Sequence, residues 1–261
     1  MQADRGKFIK VETFLERGLR LMIVDAHCHI GRGEFIDRAY DIDITPEFII
    51  RLADEAEIDK TIVFPVSYSD YSYANREVAM TVEKYPDKLI GFCRINCSNP
   101  KSALKNLDES LTNLDLKGVK IHEGLDKGFP NRAIVEMIMK HDVPMIIHQK
   151  GSPLRLEPMI KSYPDLKVII CHLGGYPGNY IYHAETIYLL EKYKNVYADT
   201  AQAQHYRLQE AAERVPEKLI FGSDAPWYHP AIEKMRVEIL EIRKSDKEKI
   251  LGGNILRLLN L

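Results

Sequence analysis

The sequence predicts a (β/α)8 TIM barrel over its 261 residues. Three observations carry that expectation. Eight short β-rich runs alternate with eight helical runs, and regular alternation implies parallel strands joined by helical crossovers. Most of the β-rich runs are continuously apolar, as in strands buried on both faces. The length suits one α/β domain, 1–261, with no linker, repeat or low-complexity tract dividing it. The main rival is an open doubly wound sheet. It lacks support because no glycine-rich dinucleotide fingerprint follows the first run.

Each run has its own justification. Residues 1–20 form a polar N-terminal extension in which Phe8, Val11, Phe14 and Leu15 recur at near-helical spacing. Leu21–Val24 reads as the first strand and delivers His27 and His29 at its end. Side chains two apart share a strand face, so the two imidazoles project together and Cys28 turns away. Thr45-Pro46-Glu47 opens a helix to about Glu57, with Thr as N-cap and Pro in the first turn. Thr61–Phe64 is the second strand, and a helix over about 75–84 stops at Pro86. Leu89–Ile95, Gly118–His122 and Pro144–His148 are the third to fifth strands, separated by helices over about 101–111 and 132–141. A short helix, Pro153–Ser162, leads to the sixth strand, Leu166–His172, and a glycine-rich loop leads to a helix ending near Tyr193. Val196–Asp199 and Leu219–Asp224 are the last two strands, around a helix over about 204–215. Helical stretches over about 232–243 and 246–259 close the chain.

Composition narrows the function classes. The 36 basic and 38 acidic residues nearly balance, so no broad electrostatic pull toward nucleic acid or an anionic membrane is expected. No apolar run approaches the ~20 residues that span a bilayer. Met1–Lys10 is polar and lacks the apolar stretch of a secretory leader. The four cysteines, Cys28, Cys93, Cys97 and Cys171, show no paired zinc-knuckle spacing. A cytoplasmic protein with reduced, buried thiols is expected, acting on a small molecule.

Barrel enzymes gather their reacting groups at the C-terminal ends of the strands. Here strand one ends in His27 and His29, strand four in Lys120 and His122, strand five in His148, strand six in His172 and strand eight in Asp224. Five of the nine histidines thus share one rim with a carboxylate. Histidines with unrelated structural roles have no reason to converge in this way, so a metal site is expected. Imidazole and carboxylate ligands suit Zn2+ first, and Mn2+ or Fe2+ as well.

Asp25-Ala26-His27-Cys28-His29, Gly118-Val119-Lys120-Ile121-His122, His148, Cys171-His172-Leu173-Gly174-Gly175, Gly222-Ser223-Asp224-Ala225-Pro226-Trp227 and Ile250-Leu251-Gly252-Gly253-Asn254-Ile255 resemble the successive motifs of the amidohydrolase superfamily. They are most similar to the amidohydrolase-related branch that includes decarboxylases of the aminocarboxymuconate semialdehyde and resorcylate type. The resemblance spans residues 22–259 and implies a barrel of the metal-dependent hydrolase type. It implies that His27, His29, His148 and Asp224 hold one divalent metal, that Asp224 takes a proton from activated water, and that His172 orients that water or moves protons. A fifth-ligand role for His172 stays open. Lys120 or His122 would meet an anionic substrate group. The alternatives for Lys120 are a carboxylated form bridging two metals, as some superfamily members have, or a lysine lining the wall with its head in water. Arg155 and Trp227, on loops after strands five and eight, are further substrate-binding candidates.

The leading reaction is attack of metal-activated water on an amide, ester or lactone carbonyl of a small carboxylated substrate. The alternative is non-oxidative decarboxylation of an aromatic or enol acid. A TatD-like metal-dependent nuclease ranks lower: residues 24–30 also resemble that family, but its strand-four glutamate motif is replaced by Lys120-Ile121-His122. The resemblance allows a homodimer.

Overall fold

The computed structural model describes residues 22–34, 43–176 and 179–261. The amphipathic extension expected over 1–20 lies outside these. Among the described residues the order is β1 (Val24–Ile30), α1 (Pro46–Glu55), β2 (Lys60–Pro65), α2 (Ser72–Lys84), β3 (Leu89–Gly91), β4 (Cys93–Arg94), α3 (Pro100–Thr112), β5 (Val119–His122), α4 (Arg132–Lys140) and β6 (Met145–His148). There follow α5 (Glu157–Ser162), β7 (Val168–Ile170), α6 (Tyr180–Lys192), β8 (Val196–Asp199), α7 (His205–Arg214), β9 (Leu219–Ile220), α8 (Pro230–Glu238), α9 (Lys244–Glu248) and α10 (Asn254–Leu259).

Every strand pairing is parallel, in the orders β1-β2-β3 and β4-β5-β6-β7-β8-β9. Backbone hydrogen bonds join these two runs. Phe92, between β3 and β4, donates its N–H to the Val63 carbonyl at 2.9 Å. At the other seam Ala26 donates to Phe221 O and Asp224 donates to His27 O, at 2.9 and 2.8 Å. The first and last of the described strands therefore lie side by side, and the architecture is the expected TIM barrel.

Side-chain alternation sorts the interior into two cores. Ile62, Phe64, Ile90, Phe92, Ile146 and Ile169 fill the barrel lumen. Their chain neighbours Val63, Met145, Ile147, Val168 and Ile170 pack outward against the helices. Period-two alternation with both faces buried is what makes these strands read as unbroken apolar runs.

Several boundaries differ from expectation. The first strand begins where the expected run ends and carries the histidines within it. Val24, Ala26, Cys28 and Ile30 alternate there with Asp25, His27 and His29, and all seven residues are buried. The third strand breaks at Phe92, which gives β3 and β4. The sixth ends at Ile170 in a 3-10 turn, Cys171–Gly174, where His172 and Leu173 adopt left-handed φ of 56° and 49°. The eighth keeps ladder geometry only over Leu219–Ile220. The closing helix is interrupted by a π-turn, Lys249–Gly253, whose Ile250 carbonyl accepts from Phe221 N–H at 2.9 Å. Helix starts follow their caps: Thr45 Oγ1 accepts from Phe48 N–H, and Asn99 and Asn131 cap α3 and α4 in the same way.

Candidate active site

The strand ends open into a cavity of about 620 Å³. Its wall includes His27, His29, Lys120, His122, His148, His172 and Asp224, with Arg94, Gln202, Tyr176, Trp227 and Tyr228. A register shift between Asp25 and Cys28 in β1 explains how the histidines reach it. Val24 and Ala26 face the lumen, while Cys28 and Ile30 belong to the outer core. The shift exchanges the faces, so His27 and His29 turn to the barrel mouth. Gly222 permits the close packing beside them, because a Cβ there would lie 2.9 Å from His27 Cβ and 3.3 Å from Asp199 Cβ.

Three ligand-type atoms converge. Asp224 Oδ1 lies 3.3 Å from His27 Nε2 and 3.1 Å from His29 Nε2. His27 Nδ1 lies 2.8 Å from Asp199 Oδ2. A carboxylate can only accept there, so Nδ1 carries the proton and Nε2 presents its lone pair toward Asp224. Lys120 Nζ is 3.1 Å from the same Nε2 and 3.0 Å from Cys171 Sγ, with the Phe64 ring 4.8 Å away. Asp199 does double duty: its Oδ1 accepts from the backbone N–H of His172 at 2.8 Å and of Ala201 at 3.1 Å. His172 Nδ1 donates to the Ala201 carbonyl at 3.2 Å, leaving Nε2 as the ring atom available for exchange.

Burial dominates the electrostatics. It holds His27, His29 and His148 well below the ordinary imidazole range, helped at His27 and His29 by the positive charge of Lys120. His122 is pushed down to about 2 by burial and then by Arg94. Neutral imidazoles are the form that binds a metal. Burial raises Asp224 to about 6, against the opposing pull of His172 and Lys120.

Two groups of side chains among the described residues could hold an ion: His27 with His29 and Asp224, and His27 with Cys171 and His172. His148 belongs to neither. Its ring stacks on His122 at 4.1 Å and meets His172 edge-on at 4.9 Å. Lys120, His122 and Trp227 line the cavity as expected, but Arg155 does not. Its guanidinium is committed to Glu123, 2.8 Å away on the neighbouring loop. All four cysteines are free and buried.

Sequence reasoning passed over Asp199, Gln202, Tyr176 and Arg94. Arg94 is fully buried, bonded to both oxygens of Asp126 at 3.0 Å, and Tyr71 Oη donates to the same carboxylate at 2.6 Å. A charge inside the apolar run Leu89–Ile95 was the available signal, because a buried guanidinium demands a partner. Asp199 gave a similar signal as the last residue of its strand.

The family model described as Amidohydrolase matches residues 24–261. No match was found among curated proteins. Solved structures share the fold at low identity. The 5-carboxyvanillate decarboxylase of Sphingomonas paucimobilis is 16% identical, with TM-score 0.71, over 93% of this chain and 100% of that one. A dihydroxybenzoic acid decarboxylase of Polaromonas, solved with manganese and an inhibitor, is 17% identical, with TM-score 0.71, over 93% and 98% of the two chains. An uncharacterised TIM-barrel protein of Bordetella bronchiseptica is 19% identical, with TM-score 0.73, over 92% and 99%.

Proposed function

The chain belongs to the amidohydrolase family, and from that premise we propose that it is a metal-dependent non-oxidative decarboxylase of a small planar carboxylic acid. One observation carries the choice: a proton-carrying imidazole, His172, stands in an aromatic-walled cavity with Tyr176 stacked on it at 4.9 Å. Beside it are the His122–His148 stack, Trp227 and Tyr228. Such walls suit a flat, conjugated substrate. The two decarboxylases of like fold act, by name, on aromatic acids.

The donor set fits a divalent metal. Two imidazole nitrogens and a carboxylate oxygen converge, and Asp199 fixes the His27 tautomer as carboxylates do behind metal-bound histidines. His27, His29 and Asp224 would hold the ion, with His148 on the facing wall as the candidate fourth ligand. When bound, the ion would supply Lewis acidity toward a carboxylate or hydroxyl oxygen, or an activated water. Zn2+ and Mn2+ both suit these ligands.

His172 would take a proton from solvent at Nε2 and give it to the substrate carbon as the bond from that carbon to the carboxylate breaks and carbon dioxide leaves. Lys120 would meet the substrate's anionic group and orient it in the cavity. Asp224, raised to about 6 by burial, favours a second reading. A carboxylate of that basicity can accept a proton from water, as hydrolysis of an amide, ester or lactone requires. The test is a paired substrate screen with Mn2+ or Zn2+ added. Release of carbon dioxide from hydroxybenzoates, without lactone or amide hydrolysis, is expected. The opposite pattern would install the hydrolase in its place, and digestion of single-stranded DNA would point to the nuclease.

A further inference from the structure

We infer that Gln202 is a positioning residue, which with Glu233 selects the Asp224 oxygen that faces the histidines. The inference rests on the metal-dependent reading above. Gln202 Nε2 donates to Asp224 Oδ2, the oxygen turned away from His27 and His29. The amide must present its NH2 here, since its carbonyl would repel a carboxylate. Oδ1 is thereby left as the atom 3.1 Å from His29 Nε2. A carboxylate free to spin about its last bond would offer either oxygen. Pinning one of them orients the ligand before any ion arrives.

Gln202 is itself held from behind. Its backbone N–H donates at 2.9 Å to Oε2 of Glu233, which is buried on α8. Its φ is +57°, in the left-handed region that a glutamine enters at a cost. Two other cavity residues share this geometry, His172 at +56° and Asp224 at +62°. Strained backbone persists only where surrounding contacts over-determine it, and such residues concentrate at functional sites. At Gln202 the contact that holds the strain is Glu233 and the side chain that uses it points to Asp224. This ties a helix on the barrel's outside to the orientation of the proposed ligand.

The test is calorimetric titration of the purified full chain with Mn2+ and Zn2+. Wild type is compared with Gln202→Met, which keeps length and loses the donor, with Gln202→Asn, which withdraws it by one methylene, and with Glu233→Gln. Thermal midpoints of the metal-free proteins report folding separately. Gln202→Met should weaken metal affinity by about 10–100-fold, the usual effect of removing a ligand's hydrogen-bond partner, while its metal-free protein still melts in one cooperative transition, lowered by the loss of one buried partner. Gln202→Asn should fall between it and wild type. Glu233→Gln should act in the same direction more weakly, and the double variant should be no worse than Gln202→Met alone. Wild-type affinity in both Gln202 variants would overturn the inference while leaving the metal reading intact, as would losses that simply multiply in the double variant. A wild-type chain that binds neither ion would overturn both.

Discussion

Asp199 is the residue on which most of the site turns. One oxygen accepts two backbone N–H groups, from His172 and Ala201, and the other accepts His27 Nδ1–H. Replacement by asparagine therefore has a defined outcome. The amide oxygen must stay with the two backbone donors, so the NH2 faces His27 Nδ1. Nδ1 then becomes an acceptor, and the ring proton moves to Nε2, the atom aimed at Asp224. Asp199→Asn should lower metal affinity and turnover by at least about 10–100-fold, with near-native thermal unfolding. An isothermal titration beside a melting curve checks this, and full metal affinity in the variant would sink the tautomer argument. Strand-end histidines were legible in the sequence because each side chain's chemistry marks it as a candidate ligand. Gln202 was not, and Asp199 showed only as a charge at a strand end. Their roles lie in what they hold, and one strand's partner across a barrel is invisible in a linear pattern.

At the scale of elements, the strand that breaks at Phe92 shows how the core is fitted. Phe92 enters the lumen core, and a Cβ on Gly118 would lie 2.2 Å from its ring. Gly118→Ala should destabilise the protein by about 1–3 kcal/mol through overpacking. Phe92→Leu should recover part of that loss, which denaturant midpoints of the two single variants and the double variant would reveal. Beside this contact, Arg94 on β4 ties Asp126, on the loop after β5, to the β2 end through the Pro65 carbonyl at 3.2 Å. Removing one partner of a buried pair strands the other charge. Arg94→Met should therefore cost about 3–5 kcal/mol, and Arg94→Met with Asp126→Leu considerably less. Equal losses in the single and double variants would show that the pair carries no such charge penalty. The alternation of strands and helices was readable because apolar runs and caps are local signals. The broken third strand, the left-handed turn at His172 and the shortened eighth strand were not, because lumen packing and the seam bonds set them.

Across the whole molecule, the proposed metal lies at the closing seam. His27 and His29 come from the first strand, and Asp224 from the end of the last. Asp25 already clips that seam, accepting from His27 N–H at 3.1 Å and Ser223 N–H at 2.9 Å. An ion held by these ligands would bridge residues nearly two hundred positions apart, an arrangement the unfolded chain does not possess. Binding to the native state alone adds about 2.7 kcal/mol at a hundredfold excess over Kd. For a chain of this size that is a rise of roughly 5–10 °C in the unfolding midpoint, removed by a chelator. Asp224→Asn should lose most of the metal-dependent rise, while Arg155→Ala, which removes bonds to Glu123 and the Lys150 carbonyl away from the cavity wall, should keep it. Should the midpoint of the wild-type chain prove the same with saturating Zn2+ or Mn2+ as with chelator, the ion does not bridge the seam. The seam would then rest on its strand pairing and on the bonds that Asp25 accepts.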